Sequence, residues 1–339
     1  MSLPGPDGVD VPIPMLGPDE VATSGGKPAP NLGVLLCPSG SMSHEFKRRR
    51  DTSIEMAGRI IATTMSRAMA FTAYKTLWFS KIRYVFPVTT FSRDQCVSVA
   101  APFLEKILPA MGFHRKTPRT VLCGPCRFGG QALFDLFTEQ GIDGLKLLIG
   151  QLRSNGDVSQ LILILLSYLQ LIAGVQAPYL QSCVTPLPHV PASWLGHLRY
   201  FISTFRGSLV IDNVWVPSPP RHQDAFLMDA LLTYQGPTKP TDTELMQFNA
   251  CRLCVRAMFL SCVASPNGRF IESAFLDGQQ RLDSKWQWPD LPRPPGQCWR
   301  TWRRWLTPQN CVLSRDPHHT IEQYFRPLRS PPPAMGSDR

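Results

Sequence analysis

The stretch Cys123–Arg153 reads CGPCRFGGQALFDLFTEQGIDGLKLLIGQLR, and the interpretation of the whole chain depends on it. It opens with Cys123 and Cys126, which have the spacing of a dithiol redox site. Gly129 and Gly130 follow almost at once, and each glycine costs a helix about 1 kcal/mol. A helix that begins at the second cysteine is therefore disfavoured. The apolar periodicity beyond the glycines instead predicts two helices, 134–153 and 158–172.

A dithiol oxidoreductase is one hypothesis for this motif. Such a site needs a strand that ends, and a helix that begins, at the cysteines, because the start of a helix lowers the pKa of the first thiol. Only Val121 and Leu122 are available for that strand. A second pair, Cys251 and Cys254, lies too far along the chain from Cys123 and Cys126 for the four cysteines to have the usual spacing of a zinc site. We therefore predict that Cys251 and Cys254 are structural.

The charge of the chain is concentrated in one segment. The chain of 339 residues has 35 Lys and Arg, 25 Asp and Glu and a net charge of +10. Between Lys47 and Arg127, fifteen basic residues less four acids give a net charge of +11. A positive field of this kind favours a polyanion, of which the phosphate backbone of a nucleic acid is the commonest example.

Eleven basic residues of this segment are predicted to contact phosphates. They are Lys47, Arg48, Arg49, Arg50, Arg59, Lys75, Arg83, Arg115, Lys116, Arg119 and Arg127. Sequence-independent binding to nucleic acid is the leading hypothesis. A helical protein-interaction module, whose basic face binds acidic partners, is a further alternative.

Helical periodicity predicts a mainly α fold, or α+β with a few short strands. We expect a helix over 41–69 that directs six residues inward and points Arg48 and Arg49 away from the core. A second helix, 71–86, has a predicted inward face, and Ser92 to Gln95 form a capping box that opens a third. The predicted inward residues are, for the first helix, Phe46, Ile54, Ala57, Ile61, Met65 and Ala68, and for the second, Tyr74, Leu77, Trp78, Ile82 and Val85.

The predicted domains are an irregular lead-in with a short buried strand at 1–40, a basic helical domain at 41–177, a mixed region at 178–310 and a disordered tail at 311–339. The mixed region has a predicted strand at 209–216 and short helices at 224–232 and near Trp299. A capping box from Thr241 to Glu244 predicts a helix that continues to Phe259.

Several classes of function lack their motifs. There is no phosphate-binding G-x-x-x-x-G-K, no G-x-S-x-G, no H-E-x-x-H and no Asp-Asp pair. We therefore predict no catalytic residue and no metal ligand. The longest apolar run, around Leu161–Ile172, is shorter than the roughly 20 residues that a membrane span needs. Ten cysteines without a signal-like amino terminus predict an intracellular protein, nuclear or cytoplasmic rather than secreted; the oligomeric state stays open.

The stretch Gly124–Arg153 resembles a pattern in reverse transcriptases that non-LTR-type mobile elements of algae and other protists encode. Further blocks resemble the same family in the same order. They are Leu32-Gly-Val34 with Pro38-Ser-Gly40, Glu45-Phe46, Phe86-Pro87 with Phe91, Leu108-Pro109 with Arg115, Trp194 with Leu198-Arg199, and Ser284–Pro289.

The resemblance implies a position beyond the catalytic palm of an RNA-directed DNA polymerase. The basic helices would then be thumb-like, and they would hold a template–primer duplex, RNA–DNA or DNA, through its backbone. The family's aromatic-x-Asp-Asp motif would lie upstream of Leu32, so the resemblance implies a retrotransposon fragment without polymerising residues. Any Mg²⁺ would belong to the missing palm, and no cofactor is expected in this chain.

Overall fold

The computed structural model describes residues 2–4, 10–12, 29–31, 33–37, 40–61, 64–212, 214–220, 224–234, 238–265, 271–283 and 286–306. The chain is mainly helical, as predicted, and its short strands form two antiparallel hairpins. One hairpin joins β1 (Ser2–Pro4) to β2 (Asp10–Pro12) and the other joins β3 (Ala29–Asn31) to β4 (Val34–Leu36). The predicted tail, 311–339, lies outside the described residues.

The chain divides into two compact units, Met1–Gly150 and Gln151–Arg339. The division falls inside the predicted helical domain 41–177. The helices of the first unit are α1 (Ser43–Ile61), α2 (Arg67–Thr72), a π-helix (Ala73–Phe79), α3 (Ser80–Arg83), α4 (Arg93–Ala110), α5 (Arg119–Cys123) and α6 (Leu136–Ser154), whose last residues belong to the second unit. A 3-10 turn, Cys126–Phe128, lies between α5 and α6.

The prediction of one helix over 41–69 is wrong. Helix α1 ends at Ile61, and α2 begins after Ser66, whose side chain accepts a hydrogen bond from the backbone N of Met69 at 3.3 Å. A serine in this position is a strong N-cap signal, because it satisfies a backbone N–H that the first turn leaves unpaired. Two residues predicted to point inward, Ile54 and Ala68, are exposed.

The inward face of α1 is largely polar. Its buried residues follow one another at four-residue spacing: Glu45, Arg49, Ser53 and Ala57. Ser53 accepts a hydrogen bond from the indole Nε1 of Trp78 at 3.0 Å, and the Trp78 ring stacks on Phe103 of α4 at 4.7 Å. Helix α1 packs along α4. The polar side chains therefore face the core only because each of them has a partner there.

The second predicted helix corresponds to α2, the π-helix and α3, which follow one another without a break. Tyr74, Trp78 and Ile82 are wholly buried, as predicted, but Leu77 is 61% exposed. Leu77 lies in a row with Ala73 and Lys81 at four-residue spacing, beside the buried row. That row lines a surface groove, so the prediction that Leu77 points inward is wrong.

Helices α4 and α6 agree closely with the sequence. Ser92 and Gln95 form the predicted capping box, and α4 continues through Pro102 to Ala110. In α6, the buried Gln140 accepts hydrogen bonds from Thr89 Oγ1 at 2.9 Å and Phe91 N at 3.1 Å, and it donates to Phe91 O at 3.0 Å. Gln140 therefore fixes the loop that precedes α4 to α6.

The second unit contains α7 (Asp157–Ala173), α8 (Trp194–Thr204), α9 (Leu227–Leu232), α10 (Asp242–Val255), a 3-10 turn (Leu260–Cys262), α11 (Ser273–Leu276) and α12 (Gly296–Leu306). The capping box of Thr241 and Glu244 is present. The helix it opens ends at Val255 rather than Phe259, because Arg256 adopts a left-handed conformation with φ of 66°. The described residues of the predicted strand 209–216 form no strand, since no neighbouring strand pairs with them there.

Packing in the second unit places its aromatic residues inside. Trp302 of α12 is fully buried, lies 4.6 Å from the ring of Phe248 in α10, and donates its Nε1 hydrogen to Phe275 O at 3.0 Å. Trp299 and Trp305 of the same helix are also buried. Along the described chain, no single helix is long and apolar enough to span a membrane. The broken pair α6 and α7 passes that test by length and composition, as buried core helices also do.

Candidate nucleic-acid interface

The eleven predicted phosphate contacts do not share one environment. Arg49 is buried and Arg83 is half-buried. The other nine are exposed: Lys47, Arg48, Arg50 and Arg59 on α1, Lys75 on the π-helix, Arg115 and Lys116 before α5, Arg119 at its start and Arg127 after it.

Arg49 is not a surface residue, which corrects the prediction that it points outward. Only 5% of it is exposed, and its guanidinium forms an ion pair with Glu45 one turn earlier. It also donates hydrogen bonds to Lys81 O at 3.1 Å and Gly33 O at 3.2 Å. Arg49 therefore joins α1 to α3 and to the second hairpin. Its charge is neutralised by a carboxylate and is not available to a phosphate.

Arg83 is held by α6. Its Nε and Nη2 atoms donate to the two carboxylate oxygens of Asp143 at 2.6 and 2.7 Å, and its guanidinium lies 5.7 Å from the ring centre of Phe79. The hydrogen bonds to Asp143 raise the pKa of Arg83. A bidentate pair of this kind has a fixed geometry, so Arg83 serves first as a tie between α3 and α6.

Arg48 and Arg59 are paired more loosely. Arg59 contacts Glu55 at 2.6 Å, with both side chains largely exposed. Arg48 lies 3.7 Å from Glu45, which Arg49 already holds. An exposed pair one helical turn apart contributes only about 0.3–0.5 kcal/mol, so Arg59 is able to exchange its partner for a phosphate oxygen. Arg48 is tied more firmly, because Glu45 is buried and Arg48 also donates a hydrogen bond to Gly33 O at 3.1 Å.

The loop between α4 and α5, together with the first residue of α5, groups three predicted residues within five positions: Arg115, Lys116 and Arg119. The loop is ordered by Thr117, whose Oγ1 donates to His114 O at 2.7 Å. The guanidinium of Arg127, in the turn after α5, lies 4.7 Å from the ring centre of Phe128, which is 76% exposed. An exposed aromatic ring beside a cation is a suitable surface for stacking an unpaired base. The sequence indicated nothing about Phe128.

Exposed cations outnumber exposed acids across this part of the first unit. Four acids, Asp51, Glu55, Asp94 and Glu105, are exposed between positions 41 and 150. Thirteen basic residues are exposed over the same range: Lys47, Arg48, Arg50, Arg59, Arg67, Lys75, Lys81, Arg93, Arg115, Lys116, Arg119, Arg127 and Lys146. We call this set the basic surface. Arg67, Lys81, Arg93 and Lys146 were not among the predicted contacts.

The two cysteines of the CGPC motif lie at the end of α5 and at the start of the 3-10 turn that follows it. Helix α5 ends at Cys123, with Gly124 as its C-cap, so a helix rather than the strand that a dithiol site requires precedes the motif. Burial raises the pKa of the Cys123 thiol, and the nearby Asp135 raises it further. The partial negative charge at a helix C-terminus also disfavours a thiolate. The motif thus lacks the arrangement that activates a dithiol.

The glycines of the motif close a compact turn. Gly130 N donates to Pro125 O at 3.1 Å and Ala132 N donates to Gly124 O at 2.9 Å. A Cβ atom on Gly130 would lie 2.0 Å from the carbonyl oxygen of Gly124, closer than any real contact. The backbone itself therefore requires glycine at position 130.

A groove of about 800 Å³ lies on the surface of the first unit. Two helical segments form its walls, α1 on one side and the π-helix with α3 on the other. Its cationic lining residues are Arg48, Arg49, Arg59 and Lys81, and its apolar lining includes Met56, Ile60, Leu77 and Phe103.

In the described ranges, no group of three His, Cys, Asp or Glu side chains is placed to hold a metal ion. Cys251 and Cys254 are buried in α10, and burial raises the pKa of the Cys251 thiol. No family model, no curated protein and no solved structure matches this chain.

Proposed function

We propose that the first unit binds the phosphate backbone of a nucleic acid without reading its sequence. The observation that carries the proposal is the excess of exposed cations over exposed acids on the basic surface, thirteen against four. Lys and Arg side chains displace the counterions that surround a phosphate backbone, and the release of these ions supplies most of the free energy of non-specific binding.

The cations most able to contact a phosphate are those that carboxylates within the protein do not hold. Lys116 and Arg119 lie on or beside the loop before α5, and Lys47, Arg50 and Lys75 are exposed on helices. Arg83 and Arg49 are excluded from this group because Asp143 and Glu45 hold them. The proposal therefore retains nine of the eleven predicted contacts.

The resemblance to mobile-element reverse transcriptases favours an RNA–DNA hybrid or a duplex as the ligand. A thumb-like role requires contacts to the backbone rather than to the bases, because such an element has to hold every sequence equally well. In this proposal the chain is a non-catalytic carboxy-terminal portion of such an enzyme. It binds a template–primer duplex and carries out no polymerisation.

Fluorescence anisotropy with a labelled RNA–DNA hybrid and a duplex of unrelated sequence tests the proposal. We expect both to bind at low salt with similar affinity. The logarithm of the association constant should fall linearly with the logarithm of salt concentration, with a slope of about −0.9 per phosphate neutralised. An affinity that does not change with salt, or no binding at about 50 mM salt, would contradict the proposal.

A further inference from the structure

The groove of the first unit lies between two antiparallel helical segments. Arg49 of α1 contacts Lys81 of α3. Four residues further along α1, Ser53 contacts Trp78, which lies three residues earlier than Lys81 in the other segment. The groove runs along this pair on its outer side. Along α1 it extends from Arg48 to Ile60, which corresponds to about 18 Å of helix.

The wall opposite α1 is formed by rows at four-residue spacing. One row consists of Ala73, Leu77 and Lys81 and the next of Thr76, Ser80 and Tyr84. Leu77 and Tyr84 are 61% and 63% exposed, and both face a groove whose opposite wall includes the half-buried Met56 and Ile60. Two adjacent helices with apolar residues along their shared groove form the usual seat for a third helix.

Part of this wall is a π-helix, Ala73–Phe79. A π-helical turn is rare, and it occurs frequently at functional sites. The turn contributes Ala73, Thr76 and Leu77 to the groove. The unusual backbone and the exposed leucine therefore occur at the same place.

The charge of the groove selects its occupant. Arg48 and Arg59 lie at the two ends of the α1 wall, about 16 Å apart along the helix axis, and Lys81 lies on the opposite wall. Within the described part of the chain, no carboxylate lines the groove, and Lys81 forms no ion pair. The occupant that complements this lining has an apolar stripe and acidic residues beside it.

We propose that the groove binds an amphipathic α-helix of a partner protein, with its apolar stripe over Met56, Ile60 and Leu77 and its acidic residues against Arg48, Arg59 and Lys81. This function goes beyond nucleic-acid binding and does not depend on it. A helix of about four turns, or roughly 14 residues, spans the groove. Its aliphatic anchors recur at every third or fourth position.

A synthetic peptide tests the proposal on the full chain. The probe is a fluorescein-labelled helix of about 14 residues, with Leu at every third or fourth position and Glu on both flanks. Its control has the same composition in a scrambled order that removes the apolar stripe. The protein variants are Leu77→Asp, inside the groove, and Met69→Asp, at a residue 57% exposed that does not line it.

We expect the patterned peptide to bind and the scrambled peptide to bind at least tenfold more weakly. Leu77→Asp should lower the affinity for the patterned peptide at least tenfold, and Met69→Asp less than twofold. Circular dichroism and thermal unfolding of both variants show whether each is folded. Lys81→Glu, which leaves the apolar wall in place, should lower the affinity at least fivefold and supplies the same test if Leu77→Asp does not fold.

Three results would overturn the proposal. Equal binding of the two peptides would show that charge alone attracts them. An equal loss in Leu77→Asp and Met69→Asp would place the peptide elsewhere. Displacement of the peptide by an oligonucleotide, with the same loss of oligonucleotide affinity in Leu77→Asp, would assign the groove to nucleic acid.

Discussion

The two units bury arginine side chains in different ways. In the first unit, Arg49 is buried against the carboxylate of Glu45, and Arg83 is bound in bidentate fashion by Asp143. In the second unit, Arg252 is fully buried, and its partners are the carbonyl oxygens of Leu171 and Ile172, both at 2.8 Å, and the amide oxygen of Asn249. In the first unit, carboxylates neutralise the charges of the arginines. In the second unit, Arg252 donates hydrogen bonds to carbonyl groups at the carboxy-terminal end of α7.

This difference determines where free charge remains. Because the first unit neutralises its inner arginines with acids, its exposed cations alone make up the basic surface. Arg252 instead satisfies carbonyl groups in the last turn of α7, which have no partner within the helix. Burial lowers the pKa of Arg252 to about 9, which is the cost of holding a cation without a carboxylate. A buried arginine in this chain is therefore structural in both units, but for different reasons.

Removal of the Arg252 side chain should have the largest effect on the free energy of unfolding. Arg252→Ala leaves two buried carbonyl oxygens without donors and opens a cavity, so we expect a loss of about 4 kcal/mol in the free energy of unfolding. Urea denaturation followed by circular dichroism measures it. The control Arg281→Ala, at an exposed residue 3.9 Å from Asp290, should change stability by less than about 0.5 kcal/mol. Similar losses in both variants would show that Arg252 does not hold α7.

The Glu45–Arg49 pair should behave as a unit. Arg49→Met leaves the buried Glu45 carboxylate without its cation, and we expect a loss of about 3 kcal/mol. The double variant Glu45→Gln with Arg49→Met should lose only about 1–2 kcal/mol, because a neutral amide oxygen still accepts the hydrogen bond from Leu35 N. A double-mutant cycle by urea denaturation measures the coupling. Additive losses would contradict the account.

These buried arginines mark the limit of what the sequence predicts. Helices α4, α6 and α10 were predicted because Ser92 and Thr241 cap them and because apolar residues recur at helical spacing. The burial of Arg49 was not predicted, since its two carbonyl acceptors, Gly33 O and Lys81 O, meet it only in the folded chain. Leu77 was misplaced for a related reason: no local pattern reveals that a neighbouring helix leaves a groove open.

The exposed residues of the candidate interface were easier to predict. Nine of the eleven predicted contacts are exposed, because removing a charged side chain from water is costly. Four further basic residues and Phe128 were missed, since exposure depends on which helix faces meet. The strand predicted at 209–216 failed because its apolar run has no strand beside it, and pairing is a tertiary property.

The second unit should be the more sensitive to acid. Burial lowers the pKa of His189 to about 4, and Arg252 and Arg199 lower it further, while the hydrogen bond to Ala173 O acts in the opposite direction. In the unfolded chain the His189 imidazole takes up a proton below its ordinary pKa of about 6.5, whereas in the folded chain it does so only near pH 4. Stability is therefore retained above pH 6.5 and is lost as the pH falls towards 4.

We expect His189 to account for a loss of about 2 kcal/mol between pH 7 and pH 5. The measurement is urea denaturation at both pH values, for the wild-type chain and for His189→Gln. The variant should be less stable at pH 7 but should lose less stability on acidification. An identical pH dependence in the two proteins would show that His189 is not the group responsible.

The most direct test of the basic surface compares matched charge reversals in the two units. One variant combines Lys116→Glu with Arg119→Glu in the first unit, and the other combines Lys239→Glu with Arg300→Glu, both exposed, in the second. The change in net charge is the same, so long-range attraction alone predicts equal effects on affinity for a labelled RNA–DNA hybrid at low salt. The account predicts at least a tenfold loss for the first variant, equivalent to about 1.4 kcal/mol, and less than threefold for the second. Equal losses in the two variants would contradict it.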